Sequence, residues 1–258
     1  MKSKTNRTIA ILLGLGLTAG VLGGLLGIGG GVFIVPALVF FLAFDQHRAH
    51  GTSLAIVIVL SSVSVITYFA HHNVDLVFAA GIALGGMAGA VVGGNIVQHI
   101  KSSALRRMFC MFLVATGAKM VYDGCLVRHA AAVHAVAFSG TAVLVAMGAG
   151  VLTGLLSALL GVGGGIVMVP TLTLLLHFEQ TAAQGTSLAA MLPIALTGML
   201  KHNKLGNVDR RVAGWVGLGA AIGALIGSQL ANVLHPSALK LAFGIFLVIM
   251  AALMAAKK

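Results

Sequence analysis

Long apolar segments separated by short polar ones make up almost the whole chain. Eight hydrophobic blocks can be drawn, at residues 8–44, 50–70, 74–98, 104–121, 135–177, 186–200, 208–234 and 238–256. A stretch of about 18 apolar residues is long enough to cross the hydrocarbon core of a bilayer as a helix. The blocks lack the alternation that is typical of a transmembrane β-barrel. The pattern therefore predicts an all-α, polytopic integral membrane protein with about 8 to 10 transmembrane helices.

The first and fifth blocks are too long for a single crossing. Each contains a full span, a glycine cluster and then about a dozen further apolar residues; the clusters are Gly27-Ile-Gly-Gly-Gly31 and Gly161-Val-Gly-Gly-Gly165. Glycine inside a helix costs about 1 kcal/mol relative to alanine. Proline fits the first turns of a helix, so Pro36 and Pro170 indicate that a helix restarts after each cluster. We therefore expect a helix, an irregular break and a second, shorter helix in each block.

The two glycine clusters belong to a duplicated unit. Residues 20–109 align without a gap with residues 154–243, and 20 of the 36 positions from residue 20 to residue 55 are identical. Paired repeats with interrupted helices are typical of secondary transporters, which bind their substrate where the interruptions meet. We expect one transmembrane domain over residues 1–258, made of repeat one (8–122), a linker (123–134) and repeat two (135–258).

The positions of Lys and Arg predict how the chain is oriented. With a cytoplasmic N-terminus, these residues split 11 inside to 5 outside if the short helices do not cross the membrane, and 13 to 3 if they do. Because cytoplasmic loops are enriched in Lys and Arg, the second arrangement is favoured. It gives five crossings per repeat, and this odd number would place the two repeats in inverted orientations.

The overall composition supports a membrane location and limits the partners. The chain is 59% hydrophobic and 8% charged, against about a quarter charged in a soluble domain. Its net charge of +11 comes mainly from residues between the apolar blocks. Because these residues form no continuous basic face, we expect contact with the lipid bilayer and no binding of nucleic acid.

Acidic residues are confined to the ends of the blocks: Asp45, Asp75, Asp123, Glu179 and Asp209. Cation and proton pathways usually carry carboxylates inside the membrane, so their absence there favours an anionic cargo, although backbone carbonyls can also bind cations. The ten histidines and two cysteines show no ligand spacing. We therefore expect no metal site, no catalytic residue and no cofactor.

The glycine clusters are the main candidates for a substrate site. A glycine N–H can approach a ligand closely, and a helix that starts there directs its positive dipole end at a bound anion. The alternative is that the glycines only permit close helix packing. Within a bilayer, however, an irregular break survives only where protein or a water-filled cavity covers it. The candidate substrate-binding glycines are Gly29, Gly30, Gly31, Gly163, Gly164 and Gly165.

A second pair of identical sequences follows the breaks. Gly51-Thr-Ser-Leu and Gly185-Thr-Ser-Leu each open an apolar helix. Hydroxyl groups at these positions can either cap the helix or donate to a bound oxyanion. The candidate substrate ligands therefore also include Thr52, Ser53, Thr186 and Ser187.

Two further patterns are expected to be structural. Asn73-Val-Asp75 and Asn207-Val-Asp209 lie at loop-to-helix junctions, where their side chains can cap the helices that follow. Glycines also recur at every fourth position, which predicts a stripe for close helix packing. They are Gly81, Gly85, Gly89 and Gly93, with Gly219, Gly223 and Gly227.

Taken together, these motifs resemble the sulfite exporter TauE/SafE family of membrane permeases. The resemblance rests on the glycine cluster that leads to Pro36, on its copy that leads to Pro170, and on the two Gly-Thr-Ser-Leu sequences; it spans about residues 8–256. Members of this family are associated with sulfite, sulfoacetate and other organosulfonates. The resemblance implies a bacterial-type inner membrane, and it implies that the glycine breaks and the Gly-Thr-Ser-Leu helix starts are the functional positions. It identifies no coupling ion.

These features predict a secondary transporter, a permease or exporter that moves a small sulfur-containing anion such as sulfite or an organosulfonate by alternating access. We expect a multi-pass protein of the cytoplasmic membrane with a cytoplasmic N-terminus. An anion channel is the closest alternative, because half-helices also build selectivity filters. A membrane-embedded enzyme or assembly factor is a further alternative, but the sequence shows no nucleophile, metal cluster or acid pair for one, so we expect no enzymatic activity. The coupling ion is open, and an oligomer is possible.

Overall fold

The computed structural model describes residues 2–96, 102–125, 140–160 and 164–256, and these residues form ten helices and no strand. The helices are α1 (Lys2–Leu26), α2 (Gly31–Leu42), α3 (Gln46–Ala70), α4 (Leu76–Ile96), α5 (Ser102–Cys125), α6 (Gly140–Leu160), α7 (Gly165–Leu174), α8 (Gln180–Lys204), α9 (Arg210–Val233) and α10 (Pro236–Ala256). Segments long and apolar enough to span a bilayer lie in five of them: Thr8–Leu26, Gln46–Ala70, Gln180–Lys204, Arg210–Val233 and Pro236–Leu253. The prediction of an all-α, polytopic membrane protein is confirmed.

In both long blocks one helix ends and a second begins near the glycine cluster. Helix α1 ends at Leu26 and α2 begins at Gly31, whereas α6 ends at Leu160 and α7 begins at Gly165. Residues 161–163 lie outside the described residues. The predicted order of a long helix followed by a shorter one is thus confirmed in both blocks, and the irregular break between them is confirmed in the first.

The first break is a helix end built from glycine. Gly27, Gly29 and Gly30 have φ angles of 72°, 70° and 71°, in the left-handed region that glycine enters without a steric cost. The N–H of Ile28 donates to the carbonyl oxygen of Gly23 at 3.2 Å. This bond closes the last turn of α1 in the way that a left-handed helix stop commonly does.

Helix α8 begins earlier than the hydrophobic pattern predicts. The sequence block starts at residue 186, whereas the helix starts at Gln180. The apolar block starts later than the helix because Gln180 and Gln184 are polar, although both side chains are fully buried. Polar residues that face the interior of a bundle lower the mean hydropathy without ending the helix.

Helices α3 and α8 pack against each other in opposite directions. A Cβ on Gly51, near the start of α3, would contact Asn207 after the end of α8, and a Cβ on Gly185, near the start of α8, would contact Asn73 after the end of α3. Helices α5 and α10 are also antiparallel, whereas α1 runs parallel to α9 and α4 runs parallel to α6. A two-fold axis in the membrane plane would turn each helix antiparallel to its own copy, and α3–α8 and α5–α10 are such pairs.

The two ends of the bundle are named here by one residue each. The Arg48 end holds the starts of α1, α3 and α9: Arg48 pairs with Asp209 in front of α9, and Leu42 at the end of α2 lines the same surface cavity as Thr8 of α1. The opposite end, which holds the end of α3 and the starts of α4 and α8, is the Asp75 end. Because α2 returns to the Arg48 end, α1 and α3 start at the same end of the bundle. This is what the favoured arrangement requires, in which the short helices cross the membrane and Lys and Arg split 13 to 3.

Glycine brings the parallel helix pairs into backbone contact. A Cβ on Gly219, Gly223 or Gly227 of α9 would collide with the backbone of α1, and a Cβ on Gly85 or Gly89 of α4 would collide with the backbone of α6. The predicted packing stripe is confirmed at these five positions.

Candidate substrate site

The first break reaches mid-height in the bundle at Gly29. A Cβ on Gly29 would contact the methyl end of Met191 and would lie 3.4 Å from Cγ1 of Val57. Met191 and Val57 are close to the middles of α8 and α3. Residues 27–31 are all buried. This depth is where transporters with interrupted helices bind their substrates.

The two breaks meet, as the sequence predicts. A Cβ on Gly165, the first residue of α7, would lie 2.5 Å from Cα of Ile28 and 3.0 Å from the carbonyl oxygen of Gly27. Gly164 is also close-packed, because its Cβ would lie 2.5 Å from Cγ2 of Thr153. Gly163, the remaining candidate of the second cluster, lies outside the described residues.

One face of α8 runs along the first break. Gln184, Ser187 and Met191 are spaced three and four residues apart, which places them on the same side of the helix. A Cβ on Gly27 would lie 2.6 Å from Cα of Gln184. The hydroxyl of Ser187 donates to the carbonyl oxygen of Gly27 at 3.1 Å. Ser187 is therefore brought to the break, as the sequence predicts for a candidate ligand.

Tyr68 approaches the break from α3. Its side chain is fully buried, and its hydroxyl lies 2.9 Å from the carbonyl oxygen of Gly24 and 3.1 Å from Oε1 of Gln184. A phenol carries one proton, so it donates to one of these two acceptors at a time. Tyr68 thus links the last turn of α1 to the amide of Gln184.

Several buried polar atoms near this face have no protein partner. In Gln180, which is 0% exposed, neither Oε1 nor Nε2 is hydrogen-bonded, and in Gln184, also 0% exposed, Nε2 is not. Thr153, beside Gly164, also has an unpartnered hydroxyl. Leaving a buried polar group without a partner costs about 1–3 kcal/mol. The other such atoms in the described residues belong to Ser61, Ser64 and His202.

Helix α2 adds backbone donors to the first break. Its N-cap is Gly30, and the N–H groups of Phe33 and Ile34 both donate to the carbonyl oxygen of Gly30 at 3.0 Å. The first-turn N–H groups of Gly31 and Val32 have no acceptor within the helix. These groups and the helix dipole make the start of α2 favourable for an anion.

The two Gly-Thr-Ser-Leu sequences hold the repeats together at opposite ends of the bundle. The hydroxyl of Thr52 accepts from the N–H of Asp209 at 3.0 Å, and the hydroxyl of Thr186 accepts from the N–H of Asp75 at 3.0 Å. We name these contacts the Arg48-end lock (Gly51, Thr52, Asn207, Asp209) and the Asp75-end lock (Gly185, Thr186, Asn73, Asp75). Each lock joins one repeat to the other.

The acidic residue of each lock also caps a helix. Asp75 Oδ1 accepts from the N–H groups of Val77 and Phe78 at 3.0 and 3.1 Å. Asp209 Oδ1 accepts from the N–H of Val212 at 3.0 Å. The predicted capping role of both Asn-Val-Asp sequences is confirmed for their aspartates.

The two locks differ in charge. Asp209 pairs with Arg48 at 2.6 Å, whereas the position that corresponds to Arg48 in the second repeat is Ala182. Partial burial opposes ionisation of Asp209, but the N–H of Val212 and the guanidinium of Arg48 outweigh it, so the pKa of Asp209 is lowered from its ordinary value of 3.8. The Arg48-end lock therefore carries an ion pair that the Asp75-end lock lacks.

The described residues of the breaks, 27–31, 164 and 165, are buried in this structure. The two surface cavities described, of about 310 and 490 Å³, are lined at the Arg48 end by residues of α1, α2 and α9 and elsewhere by residues of α5 and α10. Neither reaches the glycines of the breaks. Ser53, the remaining hydroxyl candidate, is buried on α3. The residues at mid-height are thus packed together, and the threonine hydrogen bonds of both locks are formed.

Sequence reasoning missed Gln180, Gln184 and Tyr68. The available signal was the spacing of the two glutamines, which lie four residues apart and therefore on one helical face. It was missed because both glutamines precede the apolar run. Tyr68 gave no signal, because a single aromatic residue near the end of an apolar helix is ordinary.

Comparisons with known proteins place this geometry in a family. The profile of the family described as "Sulfite exporter TauE/SafE" matches residues 1–120 and 146–258. The chain is 26% identical to the probable membrane transporter protein YunE of Bacillus subtilis, over 86% of this chain and 88% of that protein. It is 28% identical to a probable membrane transporter protein of Xylella fastidiosa, over 88% and 87% of the two chains. It is 26% identical to a probable membrane transporter protein of Haemophilus influenzae, over 94% of this chain and 96% of that protein. No solved structure matches the chain.

Proposed function

Because the chain belongs to the sulfite exporter TauE/SafE family, whose similar members are named as probable membrane transporters, we propose that it is a secondary carrier for a small sulfur-containing anion. Sulfite or an organosulfonate would cross the cytoplasmic membrane by alternating access. The helical bundle lies in the lipid bilayer, and the general role of the protein is transport. The identity of the cargo and the alternating-access mechanism are what we propose.

The meeting of the two breaks at mid-height carries this proposal. The start of α2 offers N–H groups and the positive end of a helix dipole at that depth. Among the described residues, the buried polar side chains are Ser, Thr and Gln, together with the hydroxyl of Tyr68. An anion could therefore be held there without meeting a carboxylate. We assign the substrate to Gly29, Gly30 and Gly31, with Gly163, Gly164 and Gly165 of the second break and the hydroxyls of Ser53 and Ser187.

The two locks support alternating access. Each joins one repeat to the other, and they lie at opposite ends of the bundle, so opening one while the other stays closed would expose mid-height to one side only. The antiparallel packing of α3 on α8 and of α5 on α10 supports inverted repeats, which commonly move in this way. We assign Thr52 and Thr186 to these gates, and we propose that the Arg48 end faces the cytoplasm together with the N-terminus.

Transport of labelled sulfite into proteoliposomes tests the carrier. We expect saturable uptake that is accelerated when unlabelled sulfite is loaded on the opposite side, because a carrier exchanges its cargo. Flux that does not saturate and shows no counterflow would support an anion channel instead. Conversion of the substrate without movement would support an enzyme. Absence of flux for every sulfur anion contradicts the proposal.

The glycine breaks and the locks are tested separately. G30V and G164V should abolish transport while the protein is still inserted in the membrane; full activity of both contradicts the proposed site. T186V should increase the binding of labelled sulfite from outside sealed right-side-out vesicles, because it weakens the Asp75-end lock, whereas T52V should decrease it. Equal binding by T186V and T52V contradicts the assignment of the locks as gates.

A further inference from the structure

We propose that the side-chain amides of Gln180 and Gln184 are direct ligands of the transported substrate, and that the site they form takes an oxyanion with a single negative charge that still carries a hydroxyl. Hydrogen sulfite has this chemistry. This inference rests on the proposed function and names the part of the site that selects the substrate.

The burial of the two amides is the first argument. Both side chains are 0% exposed, and together they leave three polar atoms without a protein partner. Each such atom costs about 1–3 kcal/mol when nothing satisfies it. Buried groups of this kind are expected where a ligand or an ordered water completes the hydrogen bonds. Leucine would fill similar space without this cost, so folding alone does not account for glutamine at both positions.

Their position on α8 is the second argument. Gln180 and Gln184 are four residues apart, so they lie on one face of the helix with a rise of about 6 Å between them. Gln184 is packed against Gly27, and Ser187 continues the same face with its bond to that glycine. Gln180 lies one turn nearer the Asp75 end. The two amides therefore form a line of polar atoms from the Asp75 end to the first break.

The donor and acceptor pattern indicates the form of the substrate. The two Nε2 groups can donate to the oxygens of an anion, while Oε1 of Gln180 can only accept and so needs a donor. An oxyanion that carries a hydroxyl supplies both functions in one molecule. Because no buried Lys or Arg is present among the described residues and the preceding residue is Glu179, a second negative charge would have no balancing cation. A singly charged species is thus favoured over a dianion.

The duplication supplies a matched control. The position equivalent to Gln180 in repeat one is Gln46, which also is the first residue of its helix. Gln46 is exposed, whereas Gln180 is fully buried. The same substitution can therefore be made at the start of α3 and at the start of α8, with only one of the two sites predicted to matter.

The experiment compares Q180L, Q184L and Q46L in the purified full-length protein. Binding of sulfite at a mildly acidic pH, where hydrogen sulfite is its main form, is followed by ligand-induced thermal stabilisation, and labelled sulfite uptake is measured in proteoliposomes. We expect Q180L and Q184L to weaken sulfite binding by about 10-fold or more, the factor expected for a lost hydrogen bond to a charged group. Q46L should bind and transport as the wild type does.

The melting temperature without ligand separates a binding role from a structural one. Removing the unpartnered amide atoms of Gln180 should leave it unchanged or higher in Q180L. In Q184L the hydroxyl of Tyr68 keeps the carbonyl oxygen of Gly24 as its acceptor, so the melting temperature should also stay close to that of the wild type. A structural role would lower it and leave sulfite affinity intact. The wild type should also bind hydrogen sulfite more tightly than methanesulfonate, which lacks a hydroxyl, and more tightly than sulfate, a dianion. Q180L should lose the preference over methanesulfonate.

The outcomes distinguish this inference from the proposed function. Normal sulfite binding and uptake in Q180L and Q184L, or tighter binding of sulfate than of hydrogen sulfite by the wild type, overturns the inference and leaves the carrier proposal in place. If the wild type neither binds nor moves any sulfur anion, the proposed function fails and this inference fails with it.

Discussion

Replacement of Gly27 by alanine tests whether contact with α8 holds the first break in place. Gly27 has φ of 72° and Gly206, in the loop before α9, has φ of 74°. A Cβ on Gly27 would lie 2.6 Å from Cα of Gln184, whereas a Cβ on Gly206 would have nothing within 4 Å. The two substitutions therefore impose the same backbone strain and differ only in packing.

The expected magnitudes follow from these two terms. A left-handed alanine costs about 1–2 kcal/mol, and this applies to G27A and G206A alike. In G27A the backbone of α8 must also move by about 1 Å to restore an ordinary contact, and overpacking of this kind typically costs about 1–3 kcal/mol. We expect a loss of about 2–5 kcal/mol for G27A and about 1–2 kcal/mol for G206A.

Thermal unfolding in detergent measures the difference. In a chain of this size, 1 kcal/mol corresponds to roughly 2–4 °C in melting temperature, so G27A should melt several degrees below G206A. Equal melting temperatures for the two variants would refute the direct contact between the first break and α8. A fall in both relative to the wild type is expected in any case, and it confirms the left-handed backbone at both positions.

Three further substitutions, one of them with a matched control, have defined outcomes. D209N should lower the melting temperature by the equivalent of up to about 1 kcal/mol at neutral pH because it removes the charge partner of Arg48. Since the pKa of Asp209 is lowered on folding, this stabilisation is present above pH 3.8 and is lost as the pH falls through the lowered value. The difference in melting temperature between wild type and D209N should therefore disappear on acidification. G223A should cost about 1–3 kcal/mol by separating α1 from α9, whereas G214A, on the same helix with nothing within 4 Å, should be neutral or stabilising by up to about 1 kcal/mol. Y68F should cost about 1–3 kcal/mol because it removes the one donor that the buried carbonyl oxygen of Gly24 and Oε1 of Gln184 share, and an unchanged melting temperature would contradict that role.

The architecture was largely predictable from the sequence. Interrupted helices follow from Gly27 to Gly31 and from their copy, because clustered glycines weaken a helix wherever they occur. The packing stripe of α9 follows from glycine at every fourth residue. The meeting of the two breaks follows from the duplication. Each of these is a property of local composition or of exact repetition, and both can be read directly from the sequence.

The partners of individual polar groups were not predictable. Thr52 and Asp209 are 157 residues apart in the chain, and nothing in either motif indicates that they form a hydrogen bond. The same holds for Thr186 and Asp75. Sequence reasoning placed the threonines among the substrate ligands because a hydroxyl at a helix start can either cap the helix or donate to a bound oxyanion. Only the three-dimensional structure shows that each threonine accepts from the N–H of an aspartate in the other repeat.

Reciprocity of the two locks bears on how this architecture arose. Thr52 of repeat one accepts a hydrogen bond from the N–H of Asp209 in repeat two, and Thr186 of repeat two accepts the equivalent bond from the N–H of Asp75 in repeat one. Contacts of this kind are what two identical subunits form in a symmetric dimer. A half-length ancestor could therefore have assembled from two separate polypeptides before gene fusion joined them. The ion pair of Arg48, which has no counterpart at Ala182, is a difference that two copies of one polypeptide could not have shown.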